Sequence, residues 1–92
     1  QSMFISLHNV IHNVTHEYAA WWLENCAKGS IEDSTYEEYE RSLRLHVYPE
    51  IGEELFAKVS RARIRELIAK KRNTHEPATI RNMLAPVRAM YN

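Results

Sequence analysis

The sequence has little of what most surface chemistry requires. It holds one cysteine, Cys26, in 92 residues. No internal disulfide is possible, and a reducing or indifferent compartment such as the cytoplasm is expected. Two isolated glycines, Gly29 and Gly52, exclude a glycine-rich phosphate loop. Together with three prolines they are also too few breakers for a disordered or collagen-like chain. The longest apolar run is the six residues Tyr18 to Leu23, far short of the roughly 20 that span a membrane. It is also too short for a signal-peptide core. Net charge is missing as well, with twelve basic residues against twelve acidic ones.

That balance hides a segregation. Residues 1–55 carry ten acids and three bases, Lys28, Arg41 and Arg44. Residues 56–92 carry nine bases and two acids, Glu66 and Glu76. A basic half of this kind suits a phosphate backbone or an acidic partner surface. Alternatively, the two halves pack together and offset one another.

One small domain is expected at this length, with a single modest core. Gln1-Ser2-Met3 reads as a cleavage scar, so residues 1–13 are assigned to a tag remnant and N-terminal extension and 14–92 to the domain. No stretch alternates with period two, whereas four segments show helical spacing. The first presents Val14, Tyr18, Trp21, Trp22 and Cys26, with Asn13 or Thr15 as cap and Gly29 as stop. Trp22 and Cys26 are expected in its buried face.

The second presents Tyr36, Tyr39, Leu43 and Val47. Ser34 with Glu37, or Thr35 with Glu38, offers it a capping box, and Pro49 and Gly52 close it. Residues 48–59 read as a connector whose Ile51, Leu55 and Val59 fold back onto the core. The third helix starts from Ser60 and buries Ile64, Leu67 and Ile68. The fourth starts at Pro77, buries Ile80, Met83, Leu84, Val87 and Tyr91, and bends at Pro86. The fold class is all-α, a bundle of four helices.

Catalytic constellations are absent from the sequence, and nothing in it asks for a cofactor. Glu37, Glu38 and Glu40 crowd a helix N-terminus, where the dipole favours them as solvated surface. His8, His12 and His16 recur every four residues, but no carboxylate or thiolate completes a metal site, and they read as surface histidines. The polar faces of the second and fourth helices are more informative. Thr35, Glu38 and Ser42 form one stripe, flanked by Ser34, Arg41 and Arg44. Thr79, Asn82 and Pro86 form another, with Arg81, Ala85 and Arg88 beside it. Short hydrogen-bonding side chains interleaved with arginines suit a helix entering a DNA major groove. A plain solvated face has the same composition.

The order of these motifs resembles one family. Glu17-Tyr18-Ala19-Ala20-Trp21-Trp22-Leu23-Glu24 is similar to the opening helix of the core-binding domain of phage-integrase-type tyrosine recombinases. Ser34-Thr35-Tyr36, Tyr39, Leu43-Arg44-Leu45-His46-Val47, Pro49, Ile51 and Gly52 follow in the family's order. So do Val59-Ser60-Arg61-Ala62-Arg63-Ile64, then Pro77-Ala78-Thr79-Ile80-Arg81, Leu84, Val87-Arg88 and Tyr91. The resemblance covers residues 14–92 and implies a SAM-like bundle of four helices whose second and fourth helices face the major groove. It carries DNA contact onto Ser34, Thr35, Glu38, Ser42, Thr79, Arg81 and Asn82. Helical geometry adds Arg41, Arg44 and Arg88. Two positions depart from the pattern. Glu32-Asp33 stands where the family commonly has Ser or Thr with Pro, and Glu76 where it commonly has Ser.

The resemblance also implies partners: double-stranded DNA at an attachment site, a C-terminal catalytic domain in the parent chain, and other recombinase protomers on the DNA. The family's catalytic tyrosine, arginines, lysine and histidines belong to that C-terminal domain. This segment is therefore expected to bind DNA and not to cut it. No membrane partner is expected. The competing reading is a helical protein–protein interaction module that docks through its acidic and basic halves.

Overall fold

The computed structural model describes residues 12–91. Apart from His12 and Asn13, the extension expected over 1–13 lies outside them, His8 included. The described chain is all-α. None of its helices is long and apolar enough to cross a membrane.

Helix α1 spans Thr15–Trp22 and continues into a wide turn over Leu23–Ala27. The Lys28 N–H donates to the Leu23 carbonyl, five residues back, at 3.0 Å, which marks a π turn. This turn moves the buried stripe on by one residue. Thr15, Tyr18, Ala19, Leu23 and Ala27 face the core, and Cys26 is exposed. The buried cysteine expected from uniform helical spacing is thus corrected. Trp22 is half-buried and stacks on Tyr39 with ring centroids 6.2 Å apart. Neither Asn13 nor Thr15 caps the helix. Val14 holds the cap position, and Glu17 Oε1 accepts from its backbone N–H at 3.1 Å. Gly29, at φ 86°, reverses the chain as expected.

Helix α2 spans Asp33–Ser42 with Glu32 at its cap, so Ser34 and Thr35 lie in its first turn and form no capping box. It too enters a wide turn, Leu43–Val47, and runs on into the short helix α3, Tyr48–Ile51. Pro49 therefore does not close the rod. The Tyr48 N–H reaches back to the Leu43 carbonyl, and the chain accommodates Pro49, which has no N–H to donate. Gly52 sits where a Cβ would meet the Tyr48 carbonyl oxygen at 2.6 Å. Leu43, Val47 and Ile51 form the buried edge of this rod.

The connector contains a single 3-10 turn, Phe56–Lys58. Leu55, expected to fold onto the core, is 38% exposed, and its neighbour Phe56, 5% exposed, is buried in its place. The cause is an extended pairing with the entering chain. Val14 bridges Leu55, Phe56 N–H donates to Asn13 O at 3.1 Å, and Thr15 N–H donates to Glu54 O at 2.8 Å. Neighbours in extended backbone point to opposite sides, so turning Phe56 inward turns Leu55 out. Thr15, fully buried, also donates its Oγ1 to Glu54 O at 2.9 Å.

Helix α4, Arg61–Lys71, starts where the sequence places it, with Ser60 Oγ accepting from Arg63 N–H at 3.2 Å. Helix α5, Pro77–Met83, and helix α6, Ala85–Tyr91, share one rod broken at Leu84. Pro86 has no N–H for the Asn82 carbonyl, and Arg88 Nη2 donates to the Arg81 carbonyl across the break at 3.2 Å. The break re-phases α6. Pro86, expected on the polar stripe, is buried with Val87 and Met90. Tyr91, expected inside, is 40% exposed at the margin.

An aromatic stack ties these elements together. Phe56 lies between Tyr18 and Tyr91, with centroid distances of 3.9 and 4.3 Å, and the Tyr91 hydroxyl donates to Phe56 O at 3.2 Å. Charge offsets only locally. Arg63 meets Glu54 at 2.9 Å and donates to the Glu50 carbonyl at 3.1 Å, while Lys70 meets the Glu50 carboxylate at 2.9 Å. These contacts bind the side of α4 that faces the acidic half.

Candidate nucleic-acid interface

The polar faces of α2 and α5 meet across one groove. Helical spacing of three and four puts Glu38, Arg41 and Ser42 along the same side of α2. Thr79 and Asn82, three apart, lie on the side of α5 away from its buried Ile80. The packing of α2 against α5 and α6 brings these five residues around a cavity of about 410 Å³. Tyr39, His46, Met83 and Ala85 complete the lining. Residues separated by some forty positions in the chain therefore line one space.

The other residues singled out from the sequence lie elsewhere. Thr35 and Ser34 prolong the α2 face toward its N-terminus, one turn before Glu38. Arg44 turns aside to pair with Glu40 at 3.1 Å. Arg81 and Arg88 lie on the opposite flank of the α5–α6 rod, beside Arg72. The structure thus brings together five of the ten residues, extends their line with two, and sends three arginines away.

His46 is a polar groove residue that the sequence pattern does not single out. Its spacing of four from Ser42 is the signal that could have found it. Its ring meets His75 edge-on, with centroids 5.8 Å apart, and the Thr74 hydroxyl lies 2.8 Å from His75 Nδ1. Burial first, then the nearby positive charges of Lys71 and His75, hold the His46 imidazole below its ordinary value of 6.5. Glu50 is also held low, chiefly by its hydrogen bond from Lys70.

Both shifts make acid destabilising, in separate windows. A base with a lowered folded value binds its proton more weakly folded than unfolded, so stability drops as pH falls from 6.5 toward that lowered value. The Glu50 contribution is present above the unfolded carboxylate value of 4.5 and is lost below it. Thermal melts are expected to show wild-type Tm falling as pH drops below the ordinary imidazole value of 6.5, with a flatter profile for His46→Gln. Identical profiles would remove His46 from this role.

Among the described residues, no three His, Cys, Asp or Glu side chains come together to hold a metal. His16 pairs with Glu53 at 3.4 Å.

The family model for the N-terminal SAM-like domain of phage integrases matches residues 16–72, well over half of the sequence. The chain belongs to that family. No curated protein and no solved structure gave a match. The matched part of this integrase SAM-like domain runs from α1 through α4. It contains the α2 wall of the groove, and the α5 wall lies beyond it. The two departures noted in the sequence, Glu32 and Glu76, are the cap residues of α2 and α5, each without a side-chain cap bond. In this integrase domain they put a carboxylate at each helix entrance, where the helix dipole favours it.

Proposed function

We propose that this domain is the DNA-binding, core-binding domain of a tyrosine recombinase of the phage integrase type, gripping the duplex at a recombination site. The observation that carries the reading is the convergence of Arg41, Ser42 and Glu38 with Thr79 and Asn82 in one groove. A major groove about 12 Å wide admits a helix, and these residue types are the ones that read base edges. On this reading α5 enters the major groove. Asn82 pairs with adenine, Glu38 accepts from a cytosine amino group, and Arg41 meets a phosphate. The small Ala85 leaves room for the backbone to approach.

Strand cleavage and exchange belong, on this proposal, to a C-terminal catalytic domain of the parent chain, working with other protomers on DNA in the cytoplasm. The domain alone supplies grip. Non-specific affinity of roughly 10⁻⁴ to 10⁻⁶ M at physiological salt is expected. Titrating a labelled duplex at several salt concentrations tests this. The log–log slope should reflect about −0.9 per phosphate met, and Arg41→Ala should make it shallower by about one unit. Binding indifferent to salt would defeat the proposal.

A further inference from the structure

A second groove, between α4 and the α5–α6 rod, answers to a different kind of ligand. It holds a cavity of about 450 Å³ at the α6 end and one of about 230 Å³ at the α5 end, both lined by Arg88. Its floor is hydrocarbon: half-buried Ile64 and Ile68 from α4, with Leu84 and Val87 from the facing rod. Five arginines rim it. Arg61 and Arg65 stand on α4 with Arg72 at its C-cap, and Arg81 stands opposite, while Arg88 lines both cavities and gives one N–H to the Arg81 carbonyl.

None of these five makes an ion pair with a carboxylate of the described residues. Their neighbours Arg63, Lys70 and Lys71 on the other flank of α4 are all paired. Much of the charge that segregates along the sequence is therefore left without a carboxylate partner along this groove. Phosphates alone would satisfy the rim and leave the apolar floor wet. An amphipathic segment with acidic flanks satisfies both, because its apolar side chains cover the floor while its carboxylates meet guanidinium groups in bidentate pairs. Length fits as well. The α4 wall, eleven residues long, runs about 16 Å, three turns of a helix laid beside it.

We infer that the α4/α5–α6 groove is a docking site for an acidic amphipathic helix of a partner protein, separate from the groove assigned to DNA. The two assignments stand on different residues and fail independently.

The probe is a fluorescein-labelled synthetic helix of about three turns, with leucines at i, i+3, i+4 and i+7 and glutamates on both flanks. Its control is a scrambled peptide of the same composition, without a single apolar face. Anisotropy titration of the 92-residue chain should show saturable binding of the patterned peptide and at least about tenfold weaker binding of the scrambled one. Arg65→Glu and, separately, Arg61→Glu should each weaken the patterned peptide by about tenfold or more. Both residues are exposed, so their Tm should match wild type. Three outcomes would each overturn the inference: equal binding of the scrambled peptide, no effect of either charge reversal, or full displacement of the peptide by a short DNA duplex.

Discussion

Phe56→Ala is expected to remove most of the stability of the domain. Truncating a buried phenylalanine costs about 3–5 kcal/mol, against the roughly 5–10 kcal/mol that holds a domain of this size together. This site belongs at the upper end of that range, because Phe56 is the middle ring of a stack. Tyr18 lies on one side at 3.9 Å and Tyr91 on the other at 4.3 Å. Removing it strands both partners and loosens the first helix, the connector and the last helix together. Urea or thermal melts followed by circular dichroism give the measurement. Trp22→Ala should be milder, since Trp22 is half-buried and its Tyr39 contact is at 6.2 Å. Arg81→Ala should leave the fold intact. A larger loss at Trp22 than at Phe56 would show that the ring stack is not the keystone.

Asn82→Ala is expected to blur sequence recognition. A bidentate asparagine–adenine pair supplies about 1–3 kcal/mol of discrimination, roughly 5- to 150-fold in relative affinity. Thr79→Ala should act in the same direction with a smaller effect, having one hydroxyl to lose. Arg41→Ala should instead weaken all sequences alike, as a phosphate contact does. The measurement is a titration of each variant against the parent element's attachment-site arm and a scrambled duplex. Equal losses on both duplexes for Asn82→Ala would take α5 out of the major groove.

The sequence made much of this architecture legible because its local signals agree with the fold. The Ser60 cap, Pro77 at the first turn of α5, and the stripe of Ile80, Met83, Leu84 and Val87 lie where spacing puts them. The two wide turns were not legible. The turn at Leu23–Ala27 shifts the stripe by one residue without any distinctive residue type, so Cys26 and Ala27 exchange places, whereas Leu43 and Val47 in the second turn stay buried where spacing puts them. The 55–56 region is illegible for a different reason. Which of Leu55 and Phe56 turns inward is decided by pairing with Asn13 and Val14, some forty residues earlier. At the groove, the faces of α2 and α5 were each legible by period, but their confrontation depends on packing angles. The same packing carries Arg81 and Arg88 to the far flank. A lone histidine such as His46 has no pattern until Ser42 and His75 stand beside it.

The way α5 is punctuated has an evolutionary consequence. Pro77 starts it and the break at Leu84 ends it, so it is a seven-residue cassette. Ile80 and Met83 anchor it inward, while Ala78, Thr79, Arg81 and Asn82 are exposed. Those four positions can drift or be swapped wholesale at little cost to folding, because α6 holds its own place through Pro86, Val87 and Met90. If α5 reads DNA as proposed, a lineage could therefore retarget the edge carrying Thr79 and Asn82 by point substitution alone, and an engineer could randomise those codons while leaving the rest of the chain untouched.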